Sequence, residues 1–303
     1  MPAAPQLRAP APRRRHGTAA RPRDGDHVSA LIRVHRLEHP FGLHYLCCAT
    51  WGACYAVRFD LVVFFAIAAN FLVIVSGNPL NALADVRNDA ATREKRHLVA
   101  AVNEIGRHRV AALTAAEMVI ALAVATIVSW KAATGVALII LLYLAYNLEP
   151  LRLKRRGYAG PVALSIAAGL LPSVIAYSAA GGQPEPAIWL VFVGVCALGT
   201  ARALWWAVPD RVGDAAVGSL TPVVLHGKQH ALSVAARITV VGLLLLGGGL
   251  WLRYGPWWAL LGVSVSATFL LARELPTSKM MLRYGMTLVV CATAVVASIP
   301  LLA

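Results

Sequence analysis

Asn81, Asp85 and Asp89 stand four residues apart at the end of a long apolar run. On a helix that spacing stacks them on one face, one turn apart. Two carboxylates and an amide in such a column offer oxygen ligands to a hard divalent cation such as Mg²⁺. The pattern returns 125 residues after Asp85, where Asp210 and Asp214 again follow an apolar run. Acidic residues number only 14 in 303, so two pairs in matching positions are a poor fit to chance.

Basic residues accompany both pairs. Arg93, Lys95 and Arg96 follow the first, a combination suited to a metal-bound diphosphate whose remaining charge needs neutralising. A further basic stretch, Arg152 to Arg156, follows Tyr146, Glu149 and the helix-stopping Pro150. Basic clusters beside apolar runs also arise from membrane topology alone, so the stretch carries less weight by itself. Arg202 lies within an apolar run, where a charge costs about 2.5–3.5 kcal/mol on insertion scales. It is expected to face a polar interior and to pair with the carboxylates. Pro209 interrupts the chain next to Asp210, where backbone groups can be rearranged around a cavity.

The elements that must position these residues are membrane spans. The chain is 58% hydrophobic and 14% charged, with mean hydropathy +0.65. Soluble domains carry roughly 25% charge. Apolar stretches near the ~20 residues of a bilayer span recur along the chain. They predict nine spans, at about 40–57, 60–80, 110–129, 134–149, 160–180, 186–208, 231–251, 255–273 and 281–302. Residues 1–36, rich in Ala, Pro and Arg, read as a disordered basic tail, with 37–303 as the transmembrane domain. Loops after the even-numbered spans hold sixteen Lys and Arg, against three after the odd-numbered ones. That asymmetry predicts an integral, multi-pass cell-membrane protein with a cytoplasmic N-terminus and both aspartate motifs facing the cytoplasm. It also accounts for the net charge of +14 without nucleic acid. The five cysteines all lie in apolar runs, lack zinc-ligand spacing, and read as small apolar filler.

Taken together, the motifs resemble the UbiA superfamily of intramembrane prenyltransferases. The family pattern Asn-Asp-x-x-Asp-x-x-x-Asp is matched by Asn81, Asp85 and Asp89. Its second motif, Arg-Glu-x-x-Lys-Asp-x-x-Asp-x-x-Gly-Asp-x-x-x-Gly-x-x-Thr, is matched by Arg202, Asp210, Gly213, Asp214, Gly218 and Thr221. The stretch from Arg152 to Pro172 is similar to the chlorophyll-synthase branch. The resemblance implies an all-α bundle of nine transmembrane helices around a central cavity. It implies transfer of a prenyl group from an allylic prenyl diphosphate to a lipophilic, aromatic or cyclic acceptor, with Mg²⁺ as cofactor. Asp85, Asp89, Asp210 and Asp214 become the metal-binding catalytic residues. Asn81, Arg96, Tyr146, Arg152, Lys154 and Arg202 become the diphosphate-binding set. The chain departs from the pattern at Ala82, Ala203, Trp206 and Ala207, where the family usually has Asp, Glu, Lys and Asp. Those departures leave two alternatives open: an intramembrane terpene cyclase, and a transport or non-catalytic membrane protein. Prenyl length, acceptor identity and oligomeric state are not specified by the sequence.

Overall fold

A computed structural model describes residues 24–91, 95–271 and 279–303. The described residues form helices joined by short turns and no β-strand, so the fold is the expected all-α one. In chain order the helices are α1 (Asp24–Val34), α2 (Phe41–Ala56), α3 (Leu61–Ala91), α4 (Arg96–Ile105), α5 (Arg107–Val128) and α6 (Trp130–Asn147). There follow α7 (Ala159–Ser165), α8 (Leu171–Ala179), α9 (Pro186–Trp206), α10 (Arg211–Ala216), α11 (Pro222–Tyr254), α12 (Pro256–Leu271) and α13 (Lys279–Leu302). A π-turn at Ile166–Leu170 joins α7 to α8 as one continuous rod.

Among the described residues, seven segments are long and apolar enough to cross a bilayer. The other two expected spans fall on α2 and α12, each of 16 residues. The polypeptide is an integral membrane protein. Its helices alternate in direction, which places the ends of α3, α6 and α9 together at one end of the bundle, here the motif end. Arg58, between α2 and α3, Lys131, in the first turn of α6, and Arg253, in the last turn of α11, lie at the opposite end.

Two expectations need correction. The tail predicted to be structureless over residues 1–36 contains α1; residues 1–23 lie outside the described part. Ala30 and Val34, one turn apart, are buried against Ala82 and Val86 of α3 and Ala101 and Val102 of α4. An apolar pair at helical spacing with a surface to cover overrides the local composition. The first aspartate motif, expected in a loop after a span ending near residue 80, lies within α3 itself. That helix runs on for 31 residues, through Pro79.

The bundle is closed by small residues and one buried amide. A Cβ on Gly52 would stand 1.9 Å from the Ser173 carbonyl oxygen, so α2 and α8 touch backbone to backbone. Gly194 and Gly242 bring α9 and α11 together in the same way. Asn70 of α3 donates to the carbonyls of Ala49 (3.3 Å) and Pro172 (2.8 Å), pinning α2, α3 and α8 in the core. Towards the opposite end, an aromatic group of Trp51, Tyr55, Tyr177 and Phe192 fills the space between α2, α8 and α9.

Candidate functional site

A cavity of about 880 Å³ opens among α2, α3, α6, α9 and α13. Its wall changes character with depth. At the motif end it is lined by Asn81, Asp85, Asp89, Tyr146, Lys154, Asp210 and Asp214; further in, Trp51, Ile74, Leu198, Leu246, Val289 and Val296 take over.

The continuous helix α3 sets the first motif. Because the helix does not end at residue 80, Asn81, Asp85 and Asp89 keep their one-turn spacing along the wall. The second motif arrives differently. Helix α9 stops at Trp206, the chain turns through Pro209, and α10 carries Asp214 back across the mouth. Thr221 donates its hydroxyl to Asp214 (3.3 Å). Leu220 exchanges backbone hydrogen bonds with the basic stretch, donating to Arg155 (3.0 Å) and accepting from Gly157 (2.8 Å). That strap holds the Arg152–Arg156 stretch beside the second motif.

Charge at the mouth is closely matched. Asp85 accepts from Lys154 Nζ (2.7 Å) and Arg152 (3.1 Å). Lys154 also donates to the Asn147 amide oxygen (3.0 Å), which accepts from Asn81 as well (3.1 Å). Arg152 has φ of 38°, a left-handed conformation that a non-glycine residue adopts only when its surroundings impose it. Lys95 sits between the two motifs, 3.7 Å from Asp89 and 3.1 Å from Asp210. Burial works against the Lys95 ammonium, but Asp210 and Asp89 outweigh it and hold its pKa above the ordinary lysine value. Lys154 goes the other way, because burial outweighs the support of Asp85. Burial, reinforced by the neighbouring Asp210 charge, pushes the Asp214 carboxyl up to about 6.

These observations test whether a divalent metal suits the site. The donors are all oxygens, as Mg²⁺ requires. An ammonium already bridges the two motifs, and Asp214 is left with more negative charge than its surroundings neutralise. No cluster of three metal-ligating side chains is present among the described residues. That is compatible with an ion held by one or two carboxylates together with substrate oxygens and water. Asp85, Asp89, Asp210 and Asp214 fit the group.

Of the residues expected from sequence, eight line the cavity together: the four aspartates, Asn81, Tyr146, Lys154 and Arg202; Arg152 joins them through its bond to Asp85. Arg96 does not join them; it is exposed at the start of α4, and the preceding Lys95 lines the wall instead. Arg93 lies outside the described residues. Arg202 lines the cavity but makes no ion pair with a carboxylate among the described residues, contrary to expectation. Asn147 and Arg36 line the cavity without being expected there, and Lys95 was expected only as one member of a basic cluster. Asn147 is a polar residue in the last turn of an apolar helix, a signal that was available. Lys95 lay inside a basic cluster that did not say which member turns inward. Arg36 lines the cavity from the segment expected to be disordered.

The four departures from the family pattern also separate in space. Ala82 is buried against α1 and α4, away from the cavity. Ala203, Trp206 and Ala207 line the cavity, and Trp206 meets Phe41 edge-on at 5.6 Å.

Solved structures with this fold include a UbiA homologue from Archaeoglobus fulgidus bound to GPP and Mg²⁺. It matches with a TM-score of 0.70 at 16% identity, over 89% of this chain and 99% of that one. An apo UbiA homologue from Aeropyrum pernix K1 matches with a TM-score of 0.71 at 18% identity, over 86% and 97% of the two chains. A structure of digeranylgeranylglyceryl phosphate synthase matches with a TM-score of 0.64 at 16% identity, over 90% and 99%. No curated protein sequence matches the chain. The sequence profile of the UbiA prenyltransferase family matches residues 45–278, across both aspartate motifs and the basic stretch between them, and the chain belongs to that family.

Proposed function

We propose that the protein transfers a prenyl group from an allylic prenyl diphosphate to a lipophilic cyclic or aromatic acceptor within the membrane. The observation that carries this reading is the convergence of two aspartate motifs and a basic strap at the mouth of a cavity whose depth is apolar. A diphosphate suits the mouth, and an isoprenoid chain suits the interior.

Asp85, Asp89, Asp210 and Asp214 would hold Mg²⁺, which when bound offsets the negative charge that grows on the departing diphosphate. Lys95, Arg152 and Lys154 supply fixed positive charge at the same place, and Asn81 and Asn147 hold Lys154 and its neighbours in position. The bond between prenyl C1 and the bridging oxygen breaks, and its electron pair leaves with the diphosphate. The acceptor supplies the electron pair for the new bond to C1 and loses a proton to solvent at the mouth. Burial of the wall keeps water from the allylic cation, and the Trp206 ring offers a face to it, worth roughly 0.5–2 kcal/mol. Both motifs face the cytoplasm in this reading, as the distribution of Lys and Arg favours.

Purified protein should release diphosphate from geranyl diphosphate with Mg²⁺ and yield a prenylated product when a membrane lipid extract supplies the acceptor. Release of a cyclic hydrocarbon without any extract would instead assign it as a cyclase.

A further inference from the structure

Two histidines outside the central cavity stand in an arrangement that the transfer chemistry does not use. His226 and His230 lie at the start of α11, four residues apart. On an unbroken helix that spacing puts two side chains on one face. Here Gly227, with φ of 82° and ψ of 168°, breaks the helix between them. The rings meet all the same, with centres 4.9 Å apart and planes tilted by 49°. Tyr158, just before α7, backs the pair: its ring lies 6.4 Å from that of His226 and nearly parallel to it, at 18°. Both histidines are exposed, and neither imidazole has a hydrogen-bond or ion-pair partner among the described residues.

Two imidazoles in contact, with unengaged ring nitrogens and water on one side, suit one kind of ligand. As imidazolium ions, rings this close repel each other. As neutral rings, each offers a nitrogen lone pair to a borderline transition metal. An ion about 2.1 Å from each donor nitrogen lies about 3.2 Å from each ring centre, so two rings at a tetrahedral angle have centres about 5 Å apart. The observed 4.9 Å matches that separation. We propose that His226 and His230 form a two-histidine clip for a divalent transition-metal ion of the zinc class, with water completing its coordination. The clip is separate from the oxygen donors of the paired aspartate motifs, and hard Mg²⁺ prefers those oxygens to imidazole. Its position gives the ion a lever. The turn before Gly227 begins at Pro222, directly after Leu220 of the strap and Thr221, which holds Asp214. An ion held across the break fixes the seat of Thr221 relative to the long remainder of α11. The inference does not depend on the prenyl-transfer reading.

The test uses purified full-length protein without a histidine tag, with Zn²⁺ titrated calorimetrically while Mg²⁺ is in large excess. Wild-type protein should take up Zn²⁺ saturably and gain thermal stability from it. His226→Gln and His230→Gln should each weaken uptake about tenfold or more, because a single imidazole loses the chelate. His108→Gln, at an exposed histidine in the first turn of α5, should leave it unchanged. Cu²⁺ identifies the donors independently: its electron paramagnetic resonance should show two nitrogen ligands in wild type and one in either clip variant. Both positions are exposed, so the metal-free variants should unfold at the wild-type temperature, which separates lost uptake from lost fold. Absence of saturable Zn²⁺ uptake by wild-type protein overturns the proposal without any variant. So does unchanged uptake in either clip variant, or a Cu²⁺ signal from oxygen donors alone, which would leave the two rings as an aromatic contact on Tyr158.

Discussion

Asp85 pairs with Arg152 and Lys154, Asp89 and Asp210 share Lys95, and Asp214 accepts from the Thr221 hydroxyl, so the consequences of removing one differ. Asp85→Asn and Asp214→Asn remove the charge that a divalent metal needs while preserving volume. Each should lower turnover by about a hundredfold or more without changing expression or thermal unfolding. Initial rates on folded, purified variants check this, and near-normal rates in either would remove that residue from the metal site. Trp206 makes a subtler claim. Its ring lines the cavity and meets Phe41, so it is placed to face substrate rather than lipid. Trp206→Ala should change product yield or distribution more than it changes geranyl diphosphate affinity. An unchanged product profile would leave the ring as wall and nothing more.

At the scale of the elements, the site depends on contacts that leave no room. A Cβ on Gly160 would meet the Lys154 backbone at 2.9 Å, so the start of α7 and the basic strap are fitted to each other. Gly160→Val should displace Lys154 and weaken diphosphate binding, with less effect on folding than Gly52→Val, whose side chain would collide with the α8 backbone. Thermal unfolding set beside diphosphate affinity for the two variants separates these effects. The turn that follows α1 is tied to α5 by His35 and Glu117, 2.8 Å apart. Burial alone would lower the His35 pKa, but the Glu117 and Leu31 partners raise it above the ordinary value. The stabilisation is therefore complete below the unfolded histidine pKa and is lost as pH rises through the raised one. The Tm difference between wild type and Glu117→Gln should shrink at alkaline pH; a constant difference would mean that the pair is held by shape rather than charge.

For the molecule as a whole, the sequence was most readable where physics is local. Apolar length gave the spans, and the four-residue spacing of Asn81, Asp85 and Asp89 gave a shared face whether or not a helix end was placed correctly. What was not readable depended on partners distant in the chain. Nothing in residues 24–34 announces the α3 and α4 surface that Ala30 and Val34 cover. Only the strap from Leu220 to Gly157 shows that the basic stretch meets the second motif. The choice between Lys95 and Arg96 depends on which way α4 begins. Orientation in the bilayer is a property of this same scale. A reporter fused after residue 156 should be cytoplasmic and one after residue 182 extracytoplasmic, following the asymmetry of Lys and Arg. Reversed labelling would put the site on the wrong side for a cytoplasmic diphosphate.

The most direct measurement is release of diphosphate from geranyl diphosphate by the purified protein, with Mg²⁺ and again with EDTA, in the presence of an acceptor extract. The expected result is release and a prenylated product with Mg²⁺, both abolished by EDTA and by Asp85→Asn. Release that persists undiminished in EDTA, or no release under any metal condition, would contradict prenyl transfer at the paired aspartate motifs.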